Sequence, residues 1–236
     1  MDAVATANGR RTRTPIDRAP TLRWEQQAWR DGKLLVAGVD EAGRGAWAGP
    51  LVAAAVILPR DPQRRAKITR AINRAETAVR DSKQLSADQR QRVMAVLLNL
   101  EIPFAVAVID VAELDAIGLG RANKLAMCNA IGALSPEPEH VLVDAFRLDA
   151  LPCSHDPIVH GDNLSQTIAM ASIVAKLHRD AIMEQLDLEF PQYSFAAHKG
   201  YGTVAHRVAL ERHGISPQHR RSFAPIAELI ARGADD

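Results

Sequence analysis

The sequence predicts an α/β fold: a five-stranded mixed sheet, three strands antiparallel and two added in parallel, flanked by helices and followed by a helical C-terminal part. Three features carry that expectation. Apolar runs of strand length stand at 34–40, 51–58, 102–109, 140–144 and 157–162, most of them bounded by Gly, Pro or Asp. The first three lie close in sequence and suit an antiparallel meander. Helical patterns before the fourth run and after the fifth suit parallel additions. From about residue 164 onward, helical spacing replaces strand spacing.

Residues 1–20 carry Arg10, Arg11, Arg13 and Arg18 among Thr, Ala and Pro, the composition of a disordered basic arm. Such an arm is either an inert tail or a source of weak, salt-sensitive attraction to phosphates. Residues 21–236 then read as one domain whose helical C-terminal part begins near 190. Leu22, Trp24 and Trp29 mark a short helix over 21–30 that packs an aromatic against the core. The strands at 34–40 and 51–58 follow, joined by Gly and Pro punctuation. Residues 61–80 are charged and Ala-rich and predict a surface helix. Ser86 with Gln89 has the form of a capping box, and the helix it opens places Val93, Val96, Leu97 and Leu100 on one face. The next helix, over 119–133, has Gly118 and Gly120 near its start and a Ser135-Pro136 break after it. After the fifth strand a long helix runs from about 164 to 190, with Ile168, Ser172, Ala175 and Lys176 on a shared face. A loop over 191–199, a helix from 201 through 210 that stops near Gly214, and an apolar stretch at 226–230 complete the chain.

The length of 236 residues suits one large domain, and 47% hydrophobic content supplies a sizeable core. The formal net charge is +1, so any surface for a polyanion has to be local. Cys128 and Cys153 form neither a metal spacing nor a disulfide framework, which suits reduced thiols in a cytoplasmic protein. No apolar run is long enough to cross a membrane, and the polar N-terminus lacks the apolar core of a signal peptide.

The chemistry is suggested by acids. Asp40 and Glu41 end the first strand, Asp144 the fourth and Asp162 the fifth. Side chains alternate along a strand, so Asp40 and Glu41 cannot both enter one apolar core. Four carboxylates converging in one volume raise each other's pKa and are costly without a cation. Mg²⁺ accepts few protein carboxylates and keeps waters and phosphate oxygens, and a pair of such ions supports phosphodiester hydrolysis. Each acid has an ordinary alternative: Asp40-Glu41 beside a Gly-rich turn is often only solvated, Asp144 can begin a turn, and Asp162 can cap the following helix.

Blocks in series carry a resemblance: Gly38-Val39-Asp40-Glu41-Ala42-Gly43-Arg44-Gly45, the run Ala48 to Val56, Asp81-Ser82-Lys83, Val143-Asp144, Gly161-Asp162, the run Ile168 to Lys176, Arg179-Asp180 and His198-Lys199-Gly200-Tyr201-Gly202-Thr203. In this order the chain resembles ribonuclease HII, of the ribonuclease H-like superfamily, over roughly 34–225. Met170 departs from the usual Ala, which implies only repacking. The resemblance implies that Asp40, Glu41, Asp144 and Asp162 bind Mg²⁺ or Mn²⁺. It implies cleavage of the RNA strand of RNA/DNA hybrids and incision 5′ of single ribonucleotides in duplex DNA, leaving 3′-hydroxyl and 5′-phosphate ends. Gly43, Arg44 and Gly45 would read the ribose 2′-hydroxyl, and Tyr201 would stack on the neighbouring sugar at the RNA–DNA junction. Lys83, Ser172, Lys176 and Lys199 are candidate phosphate contacts, which position a duplex without reading its sequence. A monomer with no membrane association is expected. His198, His206, His213 and His219 fit no compact ligand set and read as solvated or backbone-bonded. Two rivals are another nuclease of the same fold and a binding module without catalysis. The Gly-Arg-Gly turn with Tyr201 disfavours the first, and the presence of all four acids disfavours the second.

Overall fold

The computed structural model describes residues 19–149 and 151–233, so most of the basic arm expected over 1–20 lies outside the described residues. Helix α1 (Arg23–Arg30) leads into strands β1 (Val36–Ala42) and β2 (Leu51–Ile57). Helices α2 (Pro62–Arg74) and α3 (Ala87–Asn99) precede β3 (Phe104–Ile109). Helices α4 (Val111–Ile117) and α5 (Leu119–Gly132) follow, then β4 (His140–Asp144) and β5 (Ser154–Ile158). The one-turn α6 (Gly161–Leu164), the long α7 (Gln166–Glu189), and α8 (Phe195–His198), α9 (Val204–His213) and α10 (Ala224–Gly233) complete the order.

The sheet order is β3-β2-β1-β4-β5. β1 pairs antiparallel with β2 and β2 with β3, whereas β4 pairs parallel with β1 and β5 parallel with β4, as the sequence predicts. Several boundaries differ. The fifth strand lies at Ser154–Ile158, not at 157–162. Its Ser, His, Asp and Pro residues hide it from any apolar count, but it is an edge strand, where Pro157 is tolerated. Helix α4, N-capped by the Asp110 side chain on Glu113 N–H at 2.8 Å, is absent from the sequence reading. The expected loop at 191–199 holds a 3₁₀ turn and α8. The capping box at Ser86 is present with both reciprocal bonds.

Strand alternation divides the core. Ala37, Val39, Ala53, Ala55, Val141 and Val143 pack against Ala126, Met127 and Ala130 of α5. Ala42, Ala54 and Val56 pack on the other face against α2, α3 and the Met170–Ala175 stretch of α7. Every β2 residue is buried, as a central strand between two helical layers requires. Each buried Val or Leu contributes about 1.5–3 kcal/mol. Gly38 lets α7 close on β1: a methyl group there would fall 2.5 Å from the backbone of Thr167 and Ile168. A separate cluster of Met183, Tyr193, Phe195, Leu210 and Ile226 binds the C-terminal helices to Ala48.

Candidate active site

The β1 alternation that builds the core also splits its two acids. Asp40 faces the α7 side near Ser172, and Glu41 faces the α5 side near Asn123. Parallel pairing sets Val39 opposite Val143, so Asp144 comes beside Asp40 one residue further on. Beyond β5 the chain turns through His160 in the left-handed region (φ 57°) and delivers Asp162 in α6. Asp162 is therefore carried by a one-turn helix, not by a strand end, because β5 pairing stops at Ile158 opposite Asp144. The Gly161 N–H donates to Asp144 Oδ1 at 2.6 Å and ties the two segments together. Asn163 Nδ2 donates to Asp162 Oδ1 at 2.9 Å.

The four carboxylates feel one another. Burial, reinforced by Glu41, Asp144 and Asp162, holds Asp40 well above the usual carboxylate range. Burial and Asp144 push Glu41 up to about 7, against the pull of Arg44. Burial raises Asp144, with Asp162 adding to it, and burial raises Asp162, with Asp81 adding to it. Glu41 Oε2 is buried without a partner. Asn123 lies against Glu41 and lowers its pKa, yet neither polar atom of Asn123 reaches hydrogen-bonding geometry. An all-oxygen donor set with mutually raised pKa values and an orphaned carboxylate oxygen suits a hard divalent cation. Among the described residues no three His, Cys, Asp or Glu side chains already surround a common point at metal-binding distance.

A cleft of about 480 Å³ opens beside them, lined in part by Glu41, Gly43, Arg44, Gly45, Lys83 and Tyr201. Gly43 holds φ 90°, which favours glycine, whereas a methyl group at Gly45 would meet open space. The Arg44 guanidinium carbon lies 4.8 Å from the Phe146 ring centroid. Tyr201 is exposed at the cleft wall.

The proposed phosphate contacts divide. Burial pushes the Lys83 ammonium down, but Asp81, Asp162 and Asp40 outweigh it and hold the pKa above the ordinary lysine value. Lys83 is thus a cation at the edge of the acid cluster. Ser172 is buried in the cleft wall and shares a 2.8 Å hydroxyl bond with Ser82. Lys176 also lines the cleft but is bonded to Asp180, which pairs with Arg90 at 3.4 Å. Lys199 is not among the cleft-lining residues, and its ammonium is held by Glu184 at 2.7 Å.

Sequence reasoning missed Asn123, a polar residue on the inner, alanine-rich face of α5, where a lone amide in an apolar stripe was the only signal. It also missed that His198, His206 and His219 are buried together. His206 Nε2 and His219 Nε2 stand 3.0 Å apart, and His206 Nδ1 lies 3.0 Å from the Tyr201 carbonyl. Their bonds to Tyr193, Tyr201 and Ser216 backbone match the backbone-bonded reading, whereas His213 is exposed.

The family profile described as ribonuclease HII matches residues 37–226. A ribonuclease HII of Anaeromyxobacter sp. is 47% identical over 89% of this chain, which spans 62% of that relative's length. A ribonuclease HII of Synechococcus sp. is 44% identical over 90% of this chain and 91% of its own. The crystal structure of the ribonuclease H2 from Pyrococcus horikoshii superposes with a TM-score of 0.70 at 23% identity, covering 86% of this chain and 100% of that one, a likeness of fold.

Proposed function

The chain belongs to the ribonuclease HII family, endonucleases of ribonuclease H type, and from that premise we propose how its own residues hydrolyse an RNA-containing strand. The substrates are RNA/DNA hybrids and duplex DNA with single embedded ribonucleotides. Cleavage falls 5′ of the ribonucleotide and leaves 3′-hydroxyl and 5′-phosphate ends. The observation that carries this reading is the convergence of acids from β1, β4 and α6, with one buried carboxylate oxygen left unpartnered.

Asp40, Glu41, Asp144 and Asp162 would hold Mg²⁺ or Mn²⁺, two ions when substrate is bound. Divalent cations there supply activation of the attacking water and neutralisation of the leaving oxygen. The rest falls to the chain. β1 and β4 are central strands, so Asp40, Glu41 and Asp144 stand on rigid backbone and need little reorganisation. The Gly161 bond fixes the Asp144 carboxylate. Asp162, on a single helical turn, is buried and steadied by the Asn163 amide. Gly43, Arg44 and Gly45 present backbone to the 2′-hydroxyl, which both donates and accepts. Tyr201 stacks on the adjacent sugar across the same cleft. Lys83, beside Asp40 and Asp162, is suited to a backbone phosphate, and Ser172 and Lys176 line the route it takes. Lys199 needs release from Glu184 before it can reach one.

The test uses a DNA duplex with one labelled ribonucleotide, incubated with Mg²⁺, with Mn²⁺ and with chelator. Metal-dependent cutting on the 5′ side of the ribonucleotide is expected. Cutting of long hybrids alone would refute junction recognition, and intact substrate in every lane from folded protein would refute the activity.

A further inference from the structure

The Gly43-Arg44-Gly45 turn and Tyr201 belong to opposite ends of the chain, yet one side chain touches both. Arg179 projects from α7 and is fully buried. Its Nε donates to the Pro50 carbonyl at 3.0 Å, Nη1 to Lys199 at 2.9 Å and Nη2 to Ala48 at 3.1 Å. Its guanidinium carbon lies 5.5 Å from the Tyr201 ring centroid. On the other side it packs under Gly43, where any added methyl group would collide with it. Arg220, also fully buried, shares the Pro50 carbonyl at 3.0 Å and donates to the Arg44 carbonyl at 3.1 Å. Among the described residues neither guanidinium has a carboxylate within salt-bridge distance.

Burying a cation without a counter-charge is expensive, and an apolar side chain of similar volume would fill the space at lower cost. What arginine alone supplies is a planar fork that fixes several acceptors at once, and a cation to sit against an aromatic ring. Here the fork joins carbonyls from both sides of the cleft: Ala48 and Pro50 follow the turn, and Lys199 lies two residues before Tyr201.

We propose that Arg179 is the positioning residue that sets the spacing between the Gly43-Arg44-Gly45 turn and the Tyr201 ring, so that both register on one ribose–deoxyribose step. This rests on the reading that the turn and the ring recognise the ribose and its neighbour. A uniform hybrid offers a ribose at every step and no junction, so a misplaced ring costs least there. Arg220 braces the turn from below through the Gly49, Pro50 and Arg44 carbonyls, and among its hydrogen bonds none goes to the Lys199–Tyr201 segment.

The experiment is a double-mutant cycle of Arg179→Lys and Tyr201→Ala, with kcat and KM measured on a single-ribonucleotide duplex and on a uniform hybrid. Arg179→Lys keeps a positive charge but loses the fork. Its kcat/KM on the single ribonucleotide should fall about tenfold more than on the hybrid, chiefly in kcat, because small misplacements of reacting groups are costly. In the Tyr201→Ala background that extra loss should vanish, since the two residues act as a unit. Equal losses on both substrates, or losses that multiply in the double variant, overturn the inference. If Tyr201→Ala alone leaves the substrate ratio unchanged, the ribose reading fails and the inference with it. If Tyr201→Ala shifts the ratio and Arg179→Lys does not, only the inference fails. Should Arg179→Lys not fold, Arg179→Gln, which removes the buried charge and the fork but can still bond a single carbonyl, is put through the same cycle and judged by the same outcomes.

Discussion

Glu41→Gln should make the metal-free protein more stable at alkaline pH while destroying its activity. Glu41 sits half-buried at the end of β1, with burial and Asp144 pushing its pKa from 4.5 up to about 7. At 1.36 kcal/mol per pKa unit, that shift corresponds to about 3 kcal/mol. The sign follows from linkage. A carboxyl whose folded pKa is raised binds its proton more tightly when folded, so the cost is absent below the ordinary value near 4.5 and develops as pH rises through 7. Part of the carboxylate still reaches water, which screens it, so the expected gain at pH 8 is about 2 kcal/mol. Glutamine matches the protonated acid in shape, and the gain should shrink to about 0.5 kcal/mol at pH 5, just above the ordinary value. Urea unfolding of wild type and variant in chelator, at pH 8 and pH 5, reads the difference directly. Mg²⁺ should then stabilise the wild type more than the variant, because it neutralises a charge the variant lacks. A gain of the same size at both pH values, or a loss at pH 8, would refute the view that burial beside Asp144 loads Glu41.

Other consequences are separately measurable. Asp162→Asn should lower turnover by about a hundredfold or more, since it removes a metal-binding carboxylate, while duplex binding persists; near-normal rates in a cleavage assay would take Asp162 out of the metal set. Burial lowers His206 and His219 from 6.5 to about 4, with His206 itself further lowering His219, so their neutral pairing adds stability that is present above 6.5 and lost as pH falls toward 4. His219→Gln should flatten that acid limb in thermal unfolding between pH 7 and 4.5, and an unchanged slope would contradict the assignment. Gly38→Ala sets a methyl group 2.5 Å from α7 backbone that cannot yield like a side chain. It should destabilise the fold by about 3 kcal/mol, the upper range for overpacking. A urea midpoint like that of wild type would mean that α7 does not approach β1 so closely.

How much of this was legible in the residues follows from the kind of signal each element left. β1, β2 and β4 are buried on both faces and read as plain apolar runs. Ser86 and Gln89 specify a helix start through local bonds, so no tertiary contact was needed to find it. β5 was misplaced because an edge strand exposes most of its residues, and exposure removes the apolar pattern. Asp162 was recognised as a site candidate but on the wrong element, since a one-turn helix is too short to show a period. Asn123 and the His206–His219 pair left almost no trace, because polar groups that satisfy or miss one another across the core do so without local sequence rules.

The sequence by itself determined the five strands in chain order, most of the helices, the sheet's mixed character and which acids were candidates, and the family resemblance added the glycine turn. These depend on periodicity, capping and turn chemistry within a few residues. Only the tertiary structure decided that Asp40 meets Ser172 and Glu41 meets Asn123, that Lys199 is occupied by Glu184, and that Arg179 bridges Gly43 and Tyr201. The physical reason is that charge repulsion, burial and shared hydrogen-bond acceptors act between groups far apart in the chain, and their magnitude is set by distances that no local pattern encodes.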